Sequence, residues 1–191
     1  DKPKILNIKL DLKGIYYFPR IVKASKLGDA SILKELIKIL KENKIKVIKS
    51  NFFNPELTLQ KGNYSNLKPN KLDSISIKRG IKSLNNLNPH NHVQGLIIKN
   101  NTVIKKETLK GTKKMLQSID TVKNSGGILI KFPKKKQDLR ADLPTIGLDT
   151  LKDCKKAKLK GIVLKSNQNI FMNKKMCMKF ANKNKIFIKV I

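Results

Sequence analysis

The chain has 191 residues, of which 43 are basic and 13 acidic, giving a formal charge of +30; 39% of residues are apolar, 5% are aromatic and tryptophan is absent. That length buries a real core in one large domain or two small ones, and no apolar run approaches the roughly 18 residues of a membrane span. The charge is nearly all lysine, spread end to end with few aromatics (the arginines are Arg20, Arg79 and Arg140), which argues against a nucleic-acid groove, where charge is concentrated and rings are interleaved for stacking.

No specific nucleic acid is therefore expected as a partner, although a lysine-rich nucleic-acid-binding protein without catalysis remains a rival reading. The positive field attracts anionic substrates and anionic lipid surfaces in either case.

In chain order, "DASILKELIKILKENKIKVIKS" opens with Asp29 or Ser31 as a cap and repeats Ile32, Leu33, Leu36, Ile37 and Leu40 at helical spacing. The following "KIKVIKS" alternates like a strand, which makes a helix–strand unit of an α/β sheet. Residues 51–70 are loop-like, broken at Asn54-Pro55, Lys61-Gly62 and Lys68-Pro69. This places the remnant of an N-terminal α/β domain at 1–60, a linker at 61–70 and a C-terminal α/β domain at 71–191. A helix is predicted over Lys71 to Leu87. His90 and His92, the two histidines, sit among asparagines and a proline and read as polar linker rather than metal ligands.

"HVQGLIIKN" and "TVIKKET" form two strands joined at Asn100-Asn101, a pair that tolerates the left-handed backbone of a tight hairpin. Gly111 and a capping Thr112 begin a helix predicted to end near Ser125-Gly126. "GGILIKF" is a buried strand, "GLDTLKDCKKAKL" a helix with Asp149 or Thr150 near its start, "KGIVLK" and "NIFMN" strands, "KKMCMKFANKN" a helix and "KIFIKVI" a closing strand. The pattern is α/β, with a mixed sheet flanked by helices. Cys154 and Cys177 lack metal-ligand spacing and read as reduced thiols.

"KFPKKKQDLRADLP" follows a strand, where ligand sites of open α/β sheets lie. Asp138 and Asp142 are four apart; one helical turn here would put both carboxylates on one face. Close carboxylates repel unless a cation lies between them, and Mg²⁺ suits hard oxygen ligands. Lys131, Lys134 and Arg140 suit an anionic substrate, Arg140 with a two-pronged grip, and Thr112 opens a helix whose N–H groups suit phosphate. These parts fit metal-assisted attack of water on a phosphoryl centre. The same stretch also reads as a surface turn with an internal salt bridge, Gly-Thr as an ordinary cap and "PKKK" as solvated lysines; spacing alone does not choose.

"GGILIKFPKKKQDLRADLPTIG" resembles the signature of the UDP-2,3-diacylglucosamine pyrophosphatases of lipid A synthesis, the type unrelated to calcineurin-like metallophosphoesterases. Gly126, Gly127, Lys131, Pro133, Lys134, Gln137, Asp138, Leu139, Arg140, Asp142, Leu143, Pro144 and Gly147 fit it. Gln94, Glu107, Gly111, Thr112, Met115, Leu116 and Gly161 extend the likeness, as do Pro19, Arg20, Gly28 and Asp29. Lys110 and Lys113 stand where the family usually has acids, and Lys135-Lys136 where Pro-Gly is common. The family's glycine-rich opening unit is expected before Asp1, so an N-terminally truncated member is expected here.

The resemblance implies hydrolysis of UDP-2,3-diacylglucosamine to UMP and 2,3-diacylglucosamine 1-phosphate (lipid X), water attacking the α-phosphorus with a divalent metal, Mg²⁺ being the candidate. Asp138 and Asp142 are expected as metal-binding or water-activating carboxylates; Thr112, Lys131 and Arg140 as diphosphate contacts; Gln137 and Gln94 as helpers. The acyl chains imply peripheral attachment to the cytoplasmic face of the inner membrane. A catalytically weakened relative that only binds a sugar nucleotide is the alternative that Lys110 and Lys113 suggest.

Overall fold

The structure is a computed structural model that describes residues 9–87, 93–135 and 137–191. His90, His92 and Lys136 lie outside the described residues. The chain divides into two compact units, one of Asp1–Lys49 with Arg140–Asp142, the other of Ser50–Leu139 with Leu143–Ile191.

The first unit holds two helices, α1 (Leu12–Ser25) and α2 (Asp29–Glu42). Asp11 caps α1 by accepting from the Gly14 N–H at 2.7 Å, and the helix carries Pro19 in its interior, a residue that hides it from periodicity arguments. Gly28, at φ 100°, is the N-cap of α2, so Asp29 and Ser31 fall inside the helix instead of capping it. Arg20 on α1 binds Glu42 through both terminal nitrogens at 2.6 and 2.7 Å and Glu35 through Nε at 2.7 Å, tying α1 to α2. The expected strand "KIKVIKS" does not form: residues 45–49 are irregular and mostly exposed. Alternation makes a strand only where a neighbouring edge supplies hydrogen bonds, and among the described residues this unit offers helices alone.

The second unit is built on a six-stranded mixed sheet. Its strands are β1 (Gly62–Asn63), β2 (Gly95–Lys99), β3 (Thr102–Lys106), β4 (Ile128–Lys131), β6 (Gly161–Leu164) and β8 (Phe187–Val190), in the order β1-β8-β6-β4-β2-β3. β4, β6 and β8 run parallel, while β2 is antiparallel to β4. The β2–β3 hairpin turns at Asn100 and Asn101, at φ 45° and 63°, as the Asn-Asn pair predicts. A second, two-stranded sheet joins β5 (Thr145–Ile146) to β7 (Ile170–Phe171) and fixes the chain just beyond the Asp138–Asp142 loop.

Helix α3 (Lys71–Asn85) starts in a capping box between Asn70 and Asp73, and the buried Asp73 carboxylate also pairs with Lys160. It packs against one face of the sheet over Leu96, Ile98, Ile128, Ile130 and Phe187. The other face, with Ile97, Leu129, Ile162 and Ile188, is covered by α4 (Gly111–Gln117), α5 (Leu148–Lys156) and α6 (Lys174–Lys183). Helix α4 ends eight residues earlier than the sequence predicts. The Asp120 carboxylate accepts from the N–H groups of Val122 and Lys123, and this local turn replaces the next helical bonds.

Candidate active site

β2 is the point where the strand order reverses, with β3 on one side and β4, β6 and β8 on the other. Crevices at the carboxyl ends of strands around such a point are where open α/β sheets bind ligands. Three segments converge there. At the carboxyl end of β4, β2 lies alongside with β3 beyond it, so that Gly95 is paired with Lys131 and the Glu107 N–H donates to the Gly95 carbonyl at 2.8 Å. Gln94, Glu107 and Lys131 therefore share one edge.

Strand alternation sends their side chains to different faces. Lys131 shares the side of Leu129, which is the α4 face. There its ammonium donates to the Thr112 hydroxyl, which in turn donates to Glu107 Oε1 at 2.7 Å. Glu107 Oε1 lies 3.6 Å from the ammonium, and the two side chains are 6% and 9% exposed. The other Glu107 oxygen accepts the Gln94 N–H at 3.1 Å. Burial holds the Lys131 ammonium below the usual lysine range; Glu107 opposes the shift and nearby Lys134 adds to it. The result is a buried cation with fixed direction, held at a strand end.

Thr112 is thus not a helix cap. The N-cap of α4 is Lys110, with no side-chain bond, because the Thr112 hydroxyl is taken by a charged acceptor and a charged donor. Lys110 and Lys113 are both exposed.

Gln94 lies on the opposite, α3 face. Its Nε2 donates to Gln137 Oε1 at 3.2 Å, and the same oxygen accepts the Lys134 N–H at 2.8 Å, so Gln137 clamps the loop after β4. Asn169 fixes the loop from the β6 side: Nδ2 donates to the Lys131 carbonyl at 3.2 Å and Oδ1 accepts the Lys165 N–H at 2.9 Å. Asp138 and Asp142 flank a turn over residues 139–141, with no helical turn between them, and both are half-buried. Asp138 and Arg140 are both partnered. Asp138 belongs to the second unit, and Arg140 and Asp142 to the first.

The structure accordingly joins Thr112 with Lys131 and Gln94 with Gln137. Glu107 and Asn169 hold these pairs in place. Neither was a candidate from sequence: a glutamate after a strand and an asparagine before one carry no spacing signal, and only the agreement of Glu107 with the family pattern pointed to it. Among the described residues, no three His, Cys, Asp or Glu side chains gather as a metal cluster, and no helix is long and apolar enough to cross a membrane. Cys154 and Cys177 are free and buried, and burial pushes the Cys154 thiol up to about 12.

The chain is similar to the UDP-2,3-diacylglucosamine pyrophosphatase LpxI of Caulobacter vibrioides, with 22% identity over 195 aligned positions spanning 98% of this chain and 70% of that protein. Residues 60–189 match the LpxI C-terminal domain, a span that contains β1 to β7, all but the last residue of β8, and Gln94, Glu107, Thr112 and Lys131. With that match covering most of its length, the chain belongs to the LpxI C-terminal domain family.

Proposed function

We propose that the protein hydrolyses UDP-2,3-diacylglucosamine to UMP and 2,3-diacylglucosamine 1-phosphate (lipid X), with water attacking the α-phosphorus of the diphosphate. The observation that carries this reading is the buried, directed ammonium of Lys131 at the carboxyl end of β4, in a chain of the LpxI C-terminal domain family. A desolvated cation interacts with phosphate far more strongly than a solvated one, and Thr112 and Glu107 set its placement before substrate arrives.

In this scheme Lys131 contacts a non-bridging oxygen of the diphosphate, and its charge offsets the negative charge that builds as the anhydride bond breaks. Thr112 keeps the ammonium aimed and lies beside the same phosphate. Arg140 grips the diphosphate with its planar fork. Gln137 and Gln94 keep the loop after β4 in register with the strand. Asp138 and Asp142 are the proposed water-activating and metal-binding carboxylates. Carboxylate oxygens are the hard donors that suit Mg²⁺, which keeps water and phosphate oxygens as its other ligands. Such an ion, when bound, supplies positive charge to the phosphoryl oxygens. The lysine-rich surface favours peripheral attachment to an anionic, cytoplasmic-face membrane, where the diacyl substrate resides.

Hydrolysis in H₂¹⁸O tests both the reaction and its regiochemistry. Attack at the α-phosphorus places ¹⁸O in UMP. Label in the lipid phosphate would refute the proposed site of attack, and metal-supplemented protein that releases no UMP would refute the activity.

A further inference from the structure

Asn169, just before β7, is 2% exposed, a degree of burial that an amide tolerates when its polar atoms are matched. Both of its ends are matched. Nδ2 donates to the Lys131 carbonyl at 3.2 Å and Oδ1 accepts the Lys165 N–H at 2.9 Å. These partners settle the orientation of the amide, since a flip would set oxygen against the carbonyl and nitrogen against the N–H. β4 and β6 run in parallel register up to the pair Lys131 and Leu164. One residue further along the chain from β6, the Lys165 N–H turns to the amide, so Asn169 spans the two strands where their pairing ends.

The next residue completes the hold. The Ile170 N–H donates to the Pro144 carbonyl at 3.0 Å, where β7 begins to pair with β5. Two consecutive residues therefore fasten both ends of the segment 132–144, its start through a side chain and its end through the backbone. Lys131 lies at the fastened start. Thr112 and Glu107 hold its ammonium and Asn169 holds its carbonyl, so the residue is fixed at both ends, as a group that meets developing charge requires. We propose that Asn169 is a positioning residue for the reaction: its amide sets the backbone of Lys131 and the start of the loop that carries Gln137 and Asp138, so that the ammonium and the Asp138 carboxylate keep a fixed relation as the anhydride bond breaks. The role in catalysis rests on the hydrolase reading above; the two amide bonds do not.

Steady-state kinetics and amide hydrogen exchange on the full chain test this, with Asn169→Asp, Asn169→Ser and a control, Ile188→Val, which trims the buried core at β8 and lies outside the site. Asn169→Asp keeps the acceptor for Lys165 and turns a second oxygen toward the Lys131 carbonyl; Asn169→Ser is uncharged but too short to span both partners. Both are expected to lower kcat for UMP release from the lipid substrate by about 10–10²-fold, the scale for misplacing reacting groups by about an ångström, with KM little changed. Both should also speed exchange of the Lys134 N–H, which the Gln137 side chain holds. Ile188→Val should match wild type in kcat and in Lys134 exchange. Wild-type kcat in either folded Asn169 variant would overturn the proposal, as would an equal loss of kcat in Ile188→Val, which would assign the effect to stability alone. If the wild type releases no UMP, the hydrolase reading falls and exchange decides by itself: faster Lys134 exchange in the Asn169 variants, and not in Ile188→Val, supports the anchoring of the loop, and unchanged exchange overturns it.

Discussion

Glu107 Oε1 lies 3.6 Å from the Lys131 ammonium in a setting where neither side chain is more than 9% exposed. A buried pair of this kind contributes little compared with an apolar replacement, yet removing one partner strands the other. Glu107→Gln keeps the shape and part of the hydrogen bonding but leaves Lys131 uncompensated. It is expected to destabilise the fold by about 3 kcal/mol, read as a lower urea midpoint at unchanged m-value.

The same burial gives Lys131 a pH signature. Its folded value is lowered from the ordinary 10.5 by burial, then by Lys134, against the opposing pull of Glu107. The folded state therefore releases this proton more readily than the unfolded chain. Below the lowered value Lys131 carries a cost in stability, and that cost is relieved as pH rises through the window from the lowered value to 10.5. Activity should move the other way, because the charged form grips the diphosphate: kcat/KM should fall as pH rises through the lowered value. Lys131→Arg, which keeps its charge, should shift that alkaline limb to higher pH. Superimposable alkaline limbs would assign it to another group.

In the first unit, Arg20 draws Glu35 and Glu42 below the usual carboxylate range. Groups lowered in this way stabilise the folded state at pH above their unfolded value of 4.5, and the contribution disappears as pH falls through their folded values. The α1–α2 pair should thus lose helicity in acid, seen by circular dichroism between pH 7 and pH 3. Arg20→Gln should be less helical at neutral pH and show a weaker acid transition.

Gly161 begins β6 where a methyl group would overlap the Phe187 ring of β8. Phe187 is 1% exposed and fills the α3 face of the core, so it has no room to yield. Gly161→Ala should cost about 1–3 kcal/mol by overpacking, measured as a fall in melting temperature.

The architecture of the second unit was legible because its strands are short apolar runs punctuated by Gly, Asn and Pro, and Asn100-Asn101 marks a hairpin by backbone chemistry alone. "KIKVIKS" was misleading because pairing depends on a neighbour that sequence pattern cannot supply. The early end of α4 follows from the Asp120 side chain competing for backbone donors, a local effect that apolar spacing does not register. At the site, Lys131 and Thr112 stood out from the motif, but their bond did not, since it joins residues 19 positions apart that only the folded sheet brings together. Glu107 and Asn169 were hidden for the same reason: each matters through what the sheet brings beside it.

UMP release from UDP-2,3-diacylglucosamine by wild type, Lys131→Met and Asp138→Asn, each verified as folded, addresses the catalytic assignment most directly. The account predicts that Lys131→Met lowers kcat/KM by about 10²–10³-fold, the scale for losing one preorganised donor to developing charge, and that Asp138→Asn falls at least as far. Turnover by a folded Lys131→Met variant at the wild-type rate and KM would contradict it.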